Sequence, residues 1–138
     1  MSPVVVTHDE IFLLTFASIC LALPSTAFSQ NWVRIGTALS KTTFYYDADS
    51  IESNDNKTMI SILTMADHRN DISIQKDFTQ VLFKVNCQNL NLSQIHIYKF
   101  NSGPKDEERN YVNPYDRVYY PPQRSSIEKR VLDIACSL

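Results

Sequence analysis

Between Asp77 and Cys87 the chain alternates more cleanly than anywhere else along its length. Val81, Phe83, Val85 and Cys87 fall on one side, and Gln80, Leu82, Lys84 and Asn86 on the other. A period of two is the signature of a β-strand with one face turned to a core. Such a strand needs a covering layer, and this one ends with a cysteine on the face to be covered. A fold for this chain therefore has a sheet, a lid over one side of it, and a thiol where the two meet.

The lid and the thiol's partner depend on what is left after processing. Residues 11–23 (IFLLTFASICLAL) form an apolar run of 13, short of the roughly 20 residues that span a bilayer. Pro24 and the small residues Ala27 and Ser29 follow, which reads as a secretory leader, residues 1–29, cut before Gln30. The leader lacks Lys and Arg and carries Asp9 and Glu10. Cys20 leaves with it; Ile19 before it is too bulky for a lipid-attachment site. Residues 30–138 then form one domain. They keep all 13 Lys and Arg of the chain and 13 of its 15 acids, so they are formally neutral. A neutral domain has no general attraction for nucleic acid.

Two cysteines remain, Cys87 and Cys136, and an even count in a small exported domain reads as a disulfide. Closing a loop of about 50 residues is worth about 4 kcal/mol in the chain-entropy model. A metal or catalytic thiol would need partners, and His68 and His96 stand apart with no ligand spacing.

The remaining strands are marked by β-branched and aromatic residues: Trp32–Thr37, the Thr-Phe-Tyr-Tyr run ending at Tyr46, residues 57–66 and residues 92–100. Asp47-Ala48-Asp49-Ser50 reads as a turn, because Asp and Ser side chains bond nearby backbone N–H groups; calcium would need six or more oxygens. Residues 102–110 read as a charged loop, with Asp106, Glu107 and Glu108 flanked by Lys105 and Arg109. The period then switches. Ser125 to Glu128 reads as a capping box with Ser125 as N-cap. Ile127, Val131, Ile134 and Ala135 share one helical face. Cys136 falls off that face, so the helix is expected to end near Ala135.

No nucleophile motif, phosphate loop or metal set is present, which points away from an enzyme and from any cofactor. The stretch 111–120 holds four of the seven tyrosines. Tyr and Arg dominate binding hot spots, so Tyr111, Tyr115, Arg117, Tyr119 and Tyr120 are the candidate protein-binding residues. Packing of these tyrosines over the sheet edge is the competing role.

Trp32 with Ile35, Tyr45-Tyr46-Asp47 with Ser50-Ile51, Cys87, Tyr98, Pro122 with Ser125 and the terminal Cys136 together resemble the bacterial surface-adhesin protein E family over nearly the whole domain. The resemblance implies an α+β fold: a mainly antiparallel sheet of about six strands with a C-terminal α-helix packed on it. It also implies a non-enzymatic Gram-negative envelope protein, in the periplasm or on the outer-membrane surface, dimeric in some members. Its partner would be a protein, such as a host matrix or serum protein. A periplasmic stress or lysozyme-inhibitor-like protein is the alternative, on the strength of Ser102-Gly103. The expected product of export has the mass of residues 30–138 less two hydrogens for the Cys87–Cys136 bridge. Intact mass spectrometry of the secreted protein checks both; a full-length mass or two free thiols would refute them.

Overall fold

The structure, a computed structural model, describes residues 30–102 and 107–138; the expected leader and the Gly103–Asp106 part of the charged loop lie outside the described residues. Strands β1 (Trp32–Thr37), β2 (Thr43–Asp47), β3 (Glu52–Ser53), β4 (Met59–Asp67), β5 (Phe78–Asn86), β6 (Asn91–Phe100) and β7 (Glu108–Tyr111) precede one helix, α1 (Ile127–Cys136). The strands make one antiparallel sheet in the order β1-β2-β4-β5-β6-β7, with β3 on β4. This is the α+β architecture that the sequence implies.

Strand β4 alternates buried and half-buried residues along all nine positions. Ile60 and Ile62 face Val85 and Phe83 on β5, and Val85 faces Leu92 on β6. The helix lays Val131, Leu132 and Ala135 over these five, and all eight are buried. A ten-residue helix is marginal in water and holds its shape by this packing. Two details differ from the sequence reading. The N-cap is Ser126, whose Oγ accepts from Lys129 N–H at 3.2 Å and donates to Gln123 O at 2.7 Å. A hydroxyl at 126 serves both the first turn and the loop before it, which moves the helix start one residue on. The helix also runs through Cys136, and Leu132 joins the buried face. The face is thus rotated towards Leu132, which brings Cys136 down beside the core.

The Cys87–Cys136 disulfide joins the end of β5 to the end of α1, with Cα atoms 5.5 Å apart and the two cysteines 49 positions apart in sequence. At the far edge, Asp47 is a hub. Its Oδ1 accepts from Asn31 N–H at 3.1 Å and Asp49 N–H at 3.0 Å. Ser50 donates to Asp47 O and accepts from Leu63 N–H, and Ile51 packs against the core. The Asp-x-x-Ser-Ile segment is therefore the turn expected from its residue types, a single 3-10 turn at Ala48–Ser50 that ties β1, β2 and β4 together.

With only two glycines in the chain, three tight connections place L-residues in the left-handed region: Lys41 (φ 75°), Lys57 (φ 58°) and Leu90 (φ 56°). Each costs roughly 1 kcal/mol relative to glycine, so the hairpins rely on the ladders between them. Replacing Cys136 by Ser is expected to lower stability by about 2–4 kcal/mol. At about 4–8 °C per kcal/mol for a domain of this size, calorimetry of the variant and of the reduced wild type will show the drop; equal melting temperatures would refute it.

Candidate functional site

Register decides which side chains share the face away from α1. The odd positions of β4 and the even positions of β5 turn outward. After a bulge between Leu82 and Phe83 on the β5–β6 pair, so do His96, Tyr98 and Phe100. Arg109 and Tyr111 on β7 lie opposite Tyr98 and His96 on the same face. Tyr45, Leu63, Met65, Phe78, Leu82, Tyr98 and Phe100 are consequently only half-buried. No helix among the described residues covers them.

On this face the aromatic rings form a column with a cation at each end. The Arg69 guanidinium sits 5.0 Å from the Phe78 ring centre. Phe78 stacks on Phe100 at 5.2 Å, and Phe100 on Tyr98 at 4.7 Å. Arg109 closes the column 3.9 Å over Tyr98. Asp67 fixes Arg69 through two bonds, of 3.0 and 2.8 Å, and that pairing holds the Asp67 carboxyl below its ordinary range. Glu107 accepts from the Tyr98 hydroxyl at 2.6 Å, which raises the phenol's pKa. Stacked rings and guanidinium groups satisfy one another's faces.

The tyrosine-rich stretch meets this column at one margin. Arg117 donates to the Tyr111 hydroxyl at 3.0 Å and lies 5.8 Å from its ring centre. His96 meets Tyr111 edge-on at 6.3 Å. Tyr115 is almost fully exposed, on a 3-10 turn at Pro114–Asp116. Tyr119 is half-buried. Tyr120 goes elsewhere: its backbone pairs with Leu92 and its ring packs against the core, where burial raises its phenol pKa. The structure thus brings Tyr111 and Arg117 together, puts Tyr115 beyond them and uses Tyr120 as scaffold. Strand β7 itself lies in what the sequence reads as charged loop, because its four residues are all exposed and carry no apolar alternation. Phe78, Tyr98, Phe100, Arg69 and Arg109 went unnoticed as a set. The available signal was the bulky apolar residues on the supposedly polar side of β5 and β6.

On the helix side, an open groove of about 690 Å³ continues past the end of α1 over Phe44, Ala66, Val81 and Phe83. At its head His68 is not alone, contrary to the sequence reading. Thr42 donates to Asp71 Oδ2 at 2.8 Å and so receives His68 Nδ1–H at 3.0 Å, while His68 Nε2 accepts from Thr79 at 2.9 Å. All three of Thr42, His68 and Asp71 are buried. The sequence gives no hint of it because Thr42 lies 26 and 29 positions from His68 and Asp71, and Thr79 comes from a further strand. Among the described residues no three His, Cys, Asp or Glu side chains cluster to hold a metal, and no helix is long and apolar enough to cross a membrane.

The sequence profile of the surface-adhesin protein E family matches residues 32–137. The chain belongs to the surface-adhesin protein E family. No curated protein matches it in sequence. Among solved structures it is similar to Haemophilus influenzae protein E, with a TM-score of 0.53 and 11% identity over 77% of this chain and 83% of that one. A second structure, protein E from non-typeable Haemophilus influenzae, gives 0.49 and 12% over 79% and 86%. At such identity, the likeness to the first of these structures is one of fold. Within the protein E family framework of this chain, Asp47, Ser50, Ile51 and the cysteine pair hold the sheet and helix together. The aromatic column occupies the opposite face.

The His68 cluster has a defined pH signature. Burial holds the imidazole below its ordinary value of 6.5, against the opposing pull of Asp71 and Asp67. Hydrogen bonds from Ser73 and Thr42 lower Asp71 to about 2. Above pH 6.5 His68 is neutral in both folded and unfolded chains and its contribution is complete. Below that value the unfolded chain binds a proton that the folded one resists, so stability falls. Asp71 adds a second loss as the pH drops from 3.8 towards 2. Urea midpoints are expected to fall between pH 7.5 and 5.5 in the wild type and to fall less in His68→Gln; equal declines would refute the assignment.

Proposed function

We propose that this protein is exported to the bacterial envelope and displayed there as a non-enzymatic adhesin that binds a host matrix or serum protein through the outer face of its sheet. Family membership supports the adhesin reading. The column Arg69–Phe78–Phe100–Tyr98–Arg109 carries the choice of surface. Tyr111, Tyr115 and Arg117 extend it past β7. A large, stiff, aromatic surface with guanidinium ends offers contact area at low entropy cost, the composition on which hot spots are built. Tyr120 belongs to the packing and is left out of this surface.

The reading is tested with immobilised matrix and serum proteins and with intact cells. Surface protease is expected to remove the protein from whole cells. A Arg109→Ala, Tyr115→Ala, Arg117→Ala variant is expected to lose at least about 30-fold in affinity, the scale of one lost hot spot. Lys129→Ala on the exposed side of α1 is expected to change nothing. Equal binding by the folded triple variant would refute the surface, and absence of any binding by the wild type would refute the adhesin reading.

A further inference from the structure

The two edges of the sheet are not alike. Edge strand β1 is broken by a bulge between Arg34 and Gly36, and Arg130 of α1 donates to the carbonyl of Ile35 at 3.2 Å. Edge strand β7 has neither device. Its four residues are exposed, and hydrogen-bond parity fixes which of their backbone groups are in use. Val112 N–H donates to Ile95 O at 2.9 Å, in the register that sets Asn110 opposite Ile97 and Glu108 opposite Lys99. Bonded pairs alternate along an antiparallel ladder. Asn110 and Glu108 therefore bond to β6, and the N–H and C=O groups of Arg109 and Tyr111 point away from the sheet. No backbone bond to these outward groups exists among the described residues.

The side chains of the same two residues lie on the aromatic face. Among the described residues the close ion pairs are Arg69–Asp67 and Lys129–Asp133, so no described carboxylate lies within salt-bridge distance of Arg109 or Arg117. On the outer side of this edge two guanidinium groups, Arg109 and Arg117, thus stand beside one carboxylate, Glu107, which already accepts from the Tyr98 hydroxyl, and positive charge is in excess there among the described residues. The helix side of β7 differs, because Glu108 projects there.

We propose that β7 receives an extended acidic peptide segment of a partner protein as an added antiparallel strand. This rests on the protein-binding reading above and specifies its partner. The segment's backbone bonds to Arg109 and Tyr111. Side chains directly opposite these two share their face, so carboxylates at alternate positions meet Arg109 and Arg117. Residues between them face Glu108 and are neutral or basic. Four residues give few ladder bonds, and short edges discourage indiscriminate pairing; the alternating charge supplies the selectivity.

The probe is a capped peptide of alternating Glu and Thr, compared with its Lys–Thr counterpart and with a form N-methylated at the Glu residues, whose charge is kept and whose ladder donors are lost. The acidic peptide is expected to bind wild type, to slow amide exchange at Arg109 and Tyr111, and to bind Arg109→Glu about tenfold or more weakly, the effect of reversing one charge in a pair. The Lys–Thr and N-methylated peptides are expected not to bind. No binding of the acidic peptide, unprotected Arg109 and Tyr111 amides, or equal binding of either control overturns the proposal. Concentration-dependent protection of the same amides without peptide also overturns it, in favour of a second copy of this chain on the edge. If matrix or serum proteins are captured while the peptide is not, strand addition fails and the adhesin reading stands.

Discussion

One short helix has to serve a sheet much larger than itself. A ten-residue helix is about 15 Å long, whereas six strands side by side span about 24 Å between the outermost axes. The helix packs on parts of β4, β5 and β6 and reaches β1 through Arg130, which donates to Ile35 O, and leaves the rest of that face uncovered. Everything distinctive about the molecule follows from that shortfall. The same face is open beyond the helix, over Phe44, Ala66, Val81 and Phe83. The opposite face has no covering layer among the described residues, and its large side chains shield one another by stacking.

The division of labour between residues is correspondingly sharp. Asp47, Ser50 and Ile51 occupy one corner, where they join three strands through main-chain groups. Cys87 and Cys136 occupy the other end of the helix layer. Substitutions at these positions act on the frame. The column of Phe78, Phe100 and Tyr98 is reached through the strands, with each ring placed by register, and none of its members belongs to the buried cluster under α1. Surface chemistry on this frame can therefore vary with little cost to the fold.

Much of the frame was legible in the sequence, because it is written in local signals. The Trp32–Thr37 strand, the turn after Tyr46, the alternation leading to Cys87 and the terminal helix all depend on neighbours within a few positions. Strand β7 was not legible: its four residues are polar or exposed, and they are strand only because β6 has an edge to pair. Ser126 rather than Ser125 caps the helix because Gln123 O is within reach, a contact that propensity does not encode. The His68 cluster and the aromatic column are assembled by register across strands. For the column the residue types were visible, but the bulge on β6 that turns His96, Tyr98 and Phe100 to the face opposite Leu92 was not.

The disulfide has a mechanical consequence for a chain put under tension. The bridge closes a covalent loop whose ends are 49 positions apart in sequence, and that loop contains β6, β7, the tyrosine-rich stretch and the helix. Fully drawn out, such a segment would add about 170 Å of slack at roughly 3.5 Å per residue. With the bridge intact none of that length can be paid out under tension. Force transmitted along the chain passes from Cys87 directly to Cys136, around the strands that bear Tyr98, Arg109 and Arg117, and those strands stay out of the line of pull.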